Sequence, residues 1–193
     1  IKICMRIIAG KLKGHTLLYS KNKTVRPLKD RARESIFNLL MHSNKIPIQF
    51  EKLNVLDLYA GTGSFGLECL SRGAKNVCFI ENSIDVKKIL EKNIRKLQIK
   101  KNALIFFGDV LNSIKKKDIF QIKFDLIFCD PPFKDTNVEK LIELIFTKNL
   151  LNRNGVIILH RNRETREKFP ECFKIIDERI YGISKIIFGK FLF

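Results

Sequence analysis

Several things are missing from this chain. No CxxC pair and no Cys/His cluster has zinc-ligand spacing; His15, His42 and His160 are scattered, so no metal is expected. The cysteines, Cys4, Cys69, Cys78, Cys129 and Cys172, are odd in number, widely spaced and mostly set in apolar segments, which reads as reduced core thiols rather than a disulfide framework. The longest apolar stretches are only strand length, and no basic segment precedes an apolar one as in a secretory leader, so neither a membrane span nor a signal peptide is expected and the cytoplasm is the default. Internal repeats and low-complexity linkers are absent as well. Acidic residues are scarce: 20 against 37 Lys and Arg, a formal net charge of +17. Such a balance favours a polyanionic partner, with nucleic acid foremost, although A/T-rich codons favour Lys, Ile, Asn and Phe and offer an incidental origin for some lysines.

A length of 193 residues suits one domain with a short appendage. From about residue 53, β-branched and aromatic runs alternate with segments of helical periodicity, the pattern of βαβ units and an α/β fold. Strands are expected at 53–58, 76–81, 103–107, 124–129 and 155–160, and helices at 65–72, 84–97 and 138–146. Two further β-rich runs, 173–181 and 184–191, flank Gly182-Ile183 and read as an antiparallel hairpin. Residues 5–20 read as a small basic β-ribbon and 30–41 as a helix with Asp30 as N-cap. Residues 1–50 are thus expected to form an arm on a domain spanning 51–193, with residues 1–4, which precede Met5, expected to be an upstream extension.

The chemistry is narrowed most by Asp130-Pro131-Pro132-Phe133, at the end of the apolar run Phe124–Cys129. Consecutive prolines fix φ and lack amide hydrogens, so the chain leaves the strand rigid with its carbonyls free to accept. The Asp130 carboxylate and the Pro131 carbonyl can accept from one exocyclic amino group, and Phe133 offers a face for base stacking. A Pro-Pro turn with Phe133 in the core is the plainer alternative.

At the end of the first βαβ strand stands Tyr59-Ala60-Gly61-Thr62-Gly63-Ser64-Phe65-Gly66, formally GxGxxG, with Glu81 at the end of the second strand where an acid would hold a ribose diol. A dinucleotide site is one reading. Against it, Asp57 just before the loop suits a positively charged amino-acid end better than a pyrophosphate. Asp109, after the third strand, could accept from an adenine amino group. Acids at successive strand ends describe a site for a nucleoside joined to an amino acid, as in S-adenosylmethionine.

Taken together, the segments Arg26-Pro27, Asp30–Asn38, Asp57–Gly63 with Gly66-Leu67-Glu68, Leu70–Ala74, and the tetrapeptide at 130 resemble the RsmD type of class I S-adenosylmethionine-dependent methyltransferases, which methylate guanine N2 in small-subunit (16S) ribosomal RNA. The resemblance covers nearly the whole chain. It implies a Rossmann-like, seven-stranded, mostly parallel sheet of order 3-2-1-4-5-7-6 with helices on both faces. Asp57, Ala60, Gly61 and Gly63 would contact the methionine part, Glu81 the ribose, and Asp109 with Val110 the adenine. Tyr59, Thr62, Asn82 and Asp130 complete the cofactor candidates, and Asp130, Pro131, Pro132 and Phe133 would hold the target base. The family often has threonines where this chain has Leu28-Lys29, which removes their hydroxyls. An adenine-N6 methyltransferase, a non-catalytic RNA-binding protein and a nicotinamide-dependent oxidoreductase are the rival readings. The expected substrate is ribosomal RNA within a small-subunit assembly particle, and the expected state a monomer.

Arg6, Lys11, Lys13, Arg26 and Lys29 crowd into the arm with Asp30 as their acidic neighbour, and are the expected phosphate contacts. Replacing them together should weaken RNA binding and flatten its salt dependence by roughly 0.7–0.9 in log–log slope per lost phosphate contact, with S-adenosylmethionine affinity unchanged; filter binding across a salt series reads this, and an unchanged slope would remove the arm from the RNA interface.

Overall fold

The computed structural model describes residues 5–19, 30–46, 48–116 and 120–192, with Asp30 and Arg31 described by their backbone alone. Lys29 and Arg26, expected at the RNA, lie outside the described residues.

The sheet starts from short runs that are apolar at almost every position, as strands buried on both faces must be. β1 (Met5–Arg6) and β2 (Thr16–Leu17) form the small antiparallel ribbon, and α1 (Asp30–His42) follows. The α/β core comprises β3 (Asn54–Leu58), α2 (Ser64–Ser71), β4 (Asn76–Glu81), α3 (Ile84–Lys96), a 3₁₀ turn at Lys100–Asn102, β5 (Ala103–Phe107), α4 (Val110–Lys115), β6 (Phe124–Cys129), α5 (Val138–Thr147) and β7 (Leu151–Asn162). The hairpin of β8 (Phe173–Tyr181) and β9 (Ser184–Phe191) closes the sheet, whose order is β5-β4-β3-β6-β7-β9-β8. This is the expected 3-2-1-4-5-7-6 arrangement, parallel except for the two pairings made by β9.

The structure differs from the sequence reading in detail. Helix α4 was not expected, because six residues give too little periodicity to register. Strand β7 runs to Leu151–Asn162 rather than 155–160, since its polar start, Asn152-Arg153-Asn154, breaks the apolar pattern. Asp30 is the first helical residue of α1 rather than the residue preceding it, a shift within the usual uncertainty of a helix boundary.

Side chains alternate across the strands, so each strand feeds two cores. Val55, Val77, Phe79, Leu126, Phe128, Ile158 and Phe188 face one side and pack with α1, α2 and α3. Leu56, Leu58, Cys78, Ile80, Ile127, Cys129 and Leu159 face the other, against α4 and α5. On the first side Phe65 of α2 stacks on Phe128 of β6 at 3.9 Å and on Phe37 of α1 at 5.1 Å, and the Arg72 guanidinium sits over Phe37 at 4.4 Å. Buried aromatic pairs of this kind add about 0.5–1.5 kcal/mol beyond their buried area. Two glycines make the α2 approach possible. Gly63, at φ 86°, takes the left-handed turn into the helix, and a Cβ on Gly66 would stand 2.4 Å from the Phe79 ring.

The ribbon is fastened by buried polar groups. Glu68 of α2, fully buried, accepts from the Ile8 amide at 2.7 Å, the Ala9 amide at 2.9 Å and Arg72 Nε at 2.8 Å. Ser71 takes the Leu12 amide at 3.0 Å, while Asn93 of α3 bonds both backbone groups of Leu18 and donates to the Thr62 carbonyl at 3.0 Å. A buried carboxylate with these donors is self-consistent only while all partners are present. Glu68→Ala leaves two amides and the Arg72 Nε without their acceptor and should destabilise the fold by about 3 kcal/mol, a fall in Tm of roughly 6–12 °C for a chain of this size by thermal denaturation.

Candidate functional site

Parallel register decides which residues meet. Leu58 pairs with Ile80 on one side and Cys129 on the other, and Cys129 pairs with Leu159. The residues that follow, Tyr59, Glu81, Asp130 and His160, therefore emerge together along the carboxyl edge of the sheet, where open α/β sheets bind ligands. A cavity of about 520 Å³ lies there, bordered by all four, a volume suited to a small-molecule ligand.

The glycine loop forms one wall through Tyr59, Ala60, Gly61 and Thr62. Its shape is held by Glu81, 7% exposed, whose carboxylate accepts from the Gly61 amide at 2.8 Å and the Ser83 amide at 2.7 Å. Two oxygens offer about four acceptor positions, so Glu81 can hold this loop and still take hydroxyls from the cavity. Tyr59 adopts φ 61°, a left-handed conformation costly for a bulky residue and common at functional sites. Burial raises its hydroxyl pKa above the ordinary range, and the neighbouring Asp135 carboxylate raises it further.

Asp57 occupies a different place from the other acids. It does not border the cavity; its side chain is 1% exposed beneath the loop and accepts from the Gly66 amide at 2.9 Å, tying α2 to the strand end. Gly63 likewise shapes the turn without bordering the cavity. Burial raises the Asp57 carboxyl well above the usual range; the Gly66 bond pulls it down less, and Asp130 and Glu81 add to the rise. On the far wall, Asp109 caps α4 by accepting from the Asn112 amide at 2.9 Å, beside Val110, while Asn82 follows Glu81 on the rim.

Asp130, Pro131, Pro132 and Phe133 all border the same cavity, and sequence reasoning missed the two residues that hold this segment. Nδ1 of His160 is 2.8 Å from Asp130 Oδ1, its Nε2 is 2.9 Å from Ser184 Oγ, and its ring meets Phe133 edge-on at 5.4 Å. Arg161, buried and pointing to the opposite face, donates to the carbonyls of Pro132 (2.9 Å), Phe133 (3.4 Å) and Asp135 (2.6 Å) and pairs with Glu167 at 2.5 Å. In the sequence His160 ends an apolar run and is one of three scattered histidines, with no partner in view. Its nearness to Asp130 depends on the β6–β7 register, which no local pattern displays.

Cys129, adjacent to Asp130, is fully buried and its thiol pKa is pushed far above the ordinary value, so it supplies no thiolate. Among the described residues no group of three His, Cys, Asp or Glu is arranged to hold a metal, and no helix is long and apolar enough to cross a membrane. Of the RNA candidates, Arg6, Lys11 and Lys13 are exposed on the ribbon, while Met5 and Tyr19 at its ends border the cavity.

A family model described as Conserved hypothetical protein 95 matches residues 5–190. Ribosomal RNA small subunit methyltransferase D of Haemophilus influenzae is 32% identical over 179 residues, 93% of this chain and 90% of that protein. The protein of the same name from Escherichia coli is 33% identical over 151 residues, 78% of this chain and 68% of its own length. The solved structure of an inferred methyltransferase from Escherichia coli superposes with a TM-score of 0.82 at 26% identity, covering 96% of each chain. That of an inferred methylase from Haemophilus influenzae gives 0.79 at 32% identity over 98% of this chain and 99% of that one.

The raised Asp57 pKa has a consequence for stability. Unfolded, the carboxyl ionises near 3.9; folded, it holds its proton to higher pH, so the folded state binds the extra proton and stability falls as pH rises from the unfolded toward the folded value. Asp57→Asn lacks this loss, and its stability relative to wild type should therefore climb as urea unfolding is repeated from pH 4 upward. A flat difference would mean that Asp57 is solvated.

Proposed function

The chain belongs to the Conserved hypothetical protein 95 family and is a ribosomal RNA methyltransferase, and we propose that it transfers a methyl group from S-adenosylmethionine to the exocyclic N2 of a guanine in small-subunit ribosomal RNA, within an assembly particle. The observation that carries this reading is the meeting of Asp130-Pro131-Pro132-Phe133 with the Tyr59–Thr62 loop, Glu81 and Asp109 around one cavity.

The donor groups fit the cofactor. Backbone of the Ala60-Gly61 turn would face its amino-acid end, Glu81 the ribose hydroxyls, and Asp109 with Val110 and Leu111 the adenine. Asp57 acts one step removed, holding the turn through Gly66. When bound, S-adenosylmethionine supplies an electrophilic methyl group on a sulfonium.

The chain's own residues act on the base. The guanine N2 lone pair is delocalised into the ring, so the amine is a poor nucleophile until its hydrogens are held and nitrogen moves toward sp3. Asp130 and the Pro131 carbonyl accept those hydrogens, Phe133 stacks on the base, and Arg161 fixes the loop that bears them. Catalysis is then in-line positioning plus electrostatic stabilisation. The departing proton goes to Asp130 or to solvent. The base must leave its stack to enter, which is easiest in an unpaired segment, and the exposed Arg6, Lys11 and Lys13 of the ribbon hold nearby phosphates.

The reading is tested by methyl transfer from labelled cofactor to small-subunit particles, or their RNA, from cells lacking the protein, followed by nucleoside analysis. N2-methylguanosine is expected; N6-methyladenosine would overturn the base assignment while keeping the chemistry. Asp130→Ala, with the fold intact by circular dichroism, should lower the single-turnover rate by about 10²-fold or more, and a near-normal rate would remove Asp130 from the mechanism.

A further inference from the structure

We infer that His160 is a positioning residue for methyl transfer: its Nδ1–H holds one oxygen of Asp130, so that the other is presented to the amino group of the target base. The inference rests on the proposed role of Asp130. It is carried by the fourth strand pairing, where Cys129 stands level with Leu159 and so sets Asp130 beside His160 at the cavity edge.

The hydrogen-bond inventory places a hydrogen on Nδ1. An ionised Asp130 only accepts, so the ring nitrogen 2.8 Å from it must carry hydrogen. The Ser184 hydroxyl, 2.9 Å from Nε2, can then donate to the unprotonated nitrogen of a neutral ring. Ser184 thereby satisfies the second ring nitrogen in the tautomer that serves Asp130, as outer partners of a ligating histidine do in metal sites. His160 is 4% exposed, whereas the Asp130 side chain retains 21% exposure and borders the cavity, with Oδ1 the oxygen held by the ring. The ring also meets Phe133 edge-on at 5.4 Å. A single side chain thus braces both the acceptor and the stacking platform for the base. Left unheld, a carboxylate rotates about its χ2 torsion, which is broad for Asp, and the in-line geometry is lost.

Amide substitutions separate this role from simple packing. The side-chain nitrogen of asparagine can reach the Nδ1 position, and that of glutamine the Nε2 position. Single-turnover methyl transfer to small-subunit particles should fall about 10–100-fold in His160→Ala, stay within about 3-fold of wild type in His160→Asn, and fall in His160→Gln nearly as far as in alanine. Affinity for S-adenosylmethionine, measured by calorimetry on the same proteins, should change by less than about 3-fold throughout. In an Asp130→Ala background, His160→Ala should add no further loss, because the two act as a unit.

Equal rates for the asparagine and glutamine variants, or additive losses in the double variant, would overturn the inference. Should His160→Ala fail to fold, the comparison of Asn with Gln decides alone. Failure of the wild-type protein to methylate any particle would instead overturn the reading of the site itself, and is distinguished by being seen before any variant is made.

Discussion

Everything at the site depends on one constraint, the level pairing of parallel strands. Hydrogen bonding sets Leu58, Ile80, Cys129 and Leu159 across from one another, and a slip of one residue would send every side chain to the opposite face. Register is therefore specified by the two cores: Phe79 and Phe128 must enter one, Ile80 and Cys129 the other. At roughly 1.5–3 kcal/mol for each large buried side chain, the burial at stake holds the register firmly. The acids are placed by apolar residues that never touch a ligand.

That crowding is relieved in distinct ways. Asp57 is buried against the Gly66 amide, Glu81 takes two backbone amides, Asp109 caps a helix, and Asp130 has His160. Each carboxylate thus has a structural bond, and those bordering the cavity keep acceptor capacity toward it. The same device, a carboxylate spent on amides, fastens the ribbon through Glu68. Asn93 joins ribbon and glycine loop directly, through Leu18 and Thr62. One buried side chain thus touches both the ribbon that carries the exposed cations and the loop that borders the cavity.

The sequence by itself determined the α/β class, nearly every strand boundary and many of the residues that border the cavity, though neither His160 nor Arg161, which hold the Asp130 segment. Runs such as Phe124–Cys129 are apolar at almost every position because both faces are covered, and their punctuation by Gly, Pro and Asp is chemical. The Pro131-Pro132 geometry needs no tertiary context, because φ is fixed within the ring. Helix α4 escaped because six residues carry little periodicity.

Only the tertiary structure decided what the individual acids do. Asp57 and Glu81 look alike as strand-end carboxylates, yet Asp57 stands level with Phe79, two positions short of Glu81, so it is buried against Gly66 while Glu81 borders the cavity. His160 and Arg161 are neighbours in sequence but serve opposite faces: one braces Asp130, the other grips the carbonyls of Pro132, Phe133 and Asp135. Those partners stand some thirty positions away along the chain, and only the pairing of β6 with β7 brings them within hydrogen-bond distance. Local pattern reports which faces are apolar; it carries no record of which strand lies next to which, and at this site that adjacency sets the chemistry.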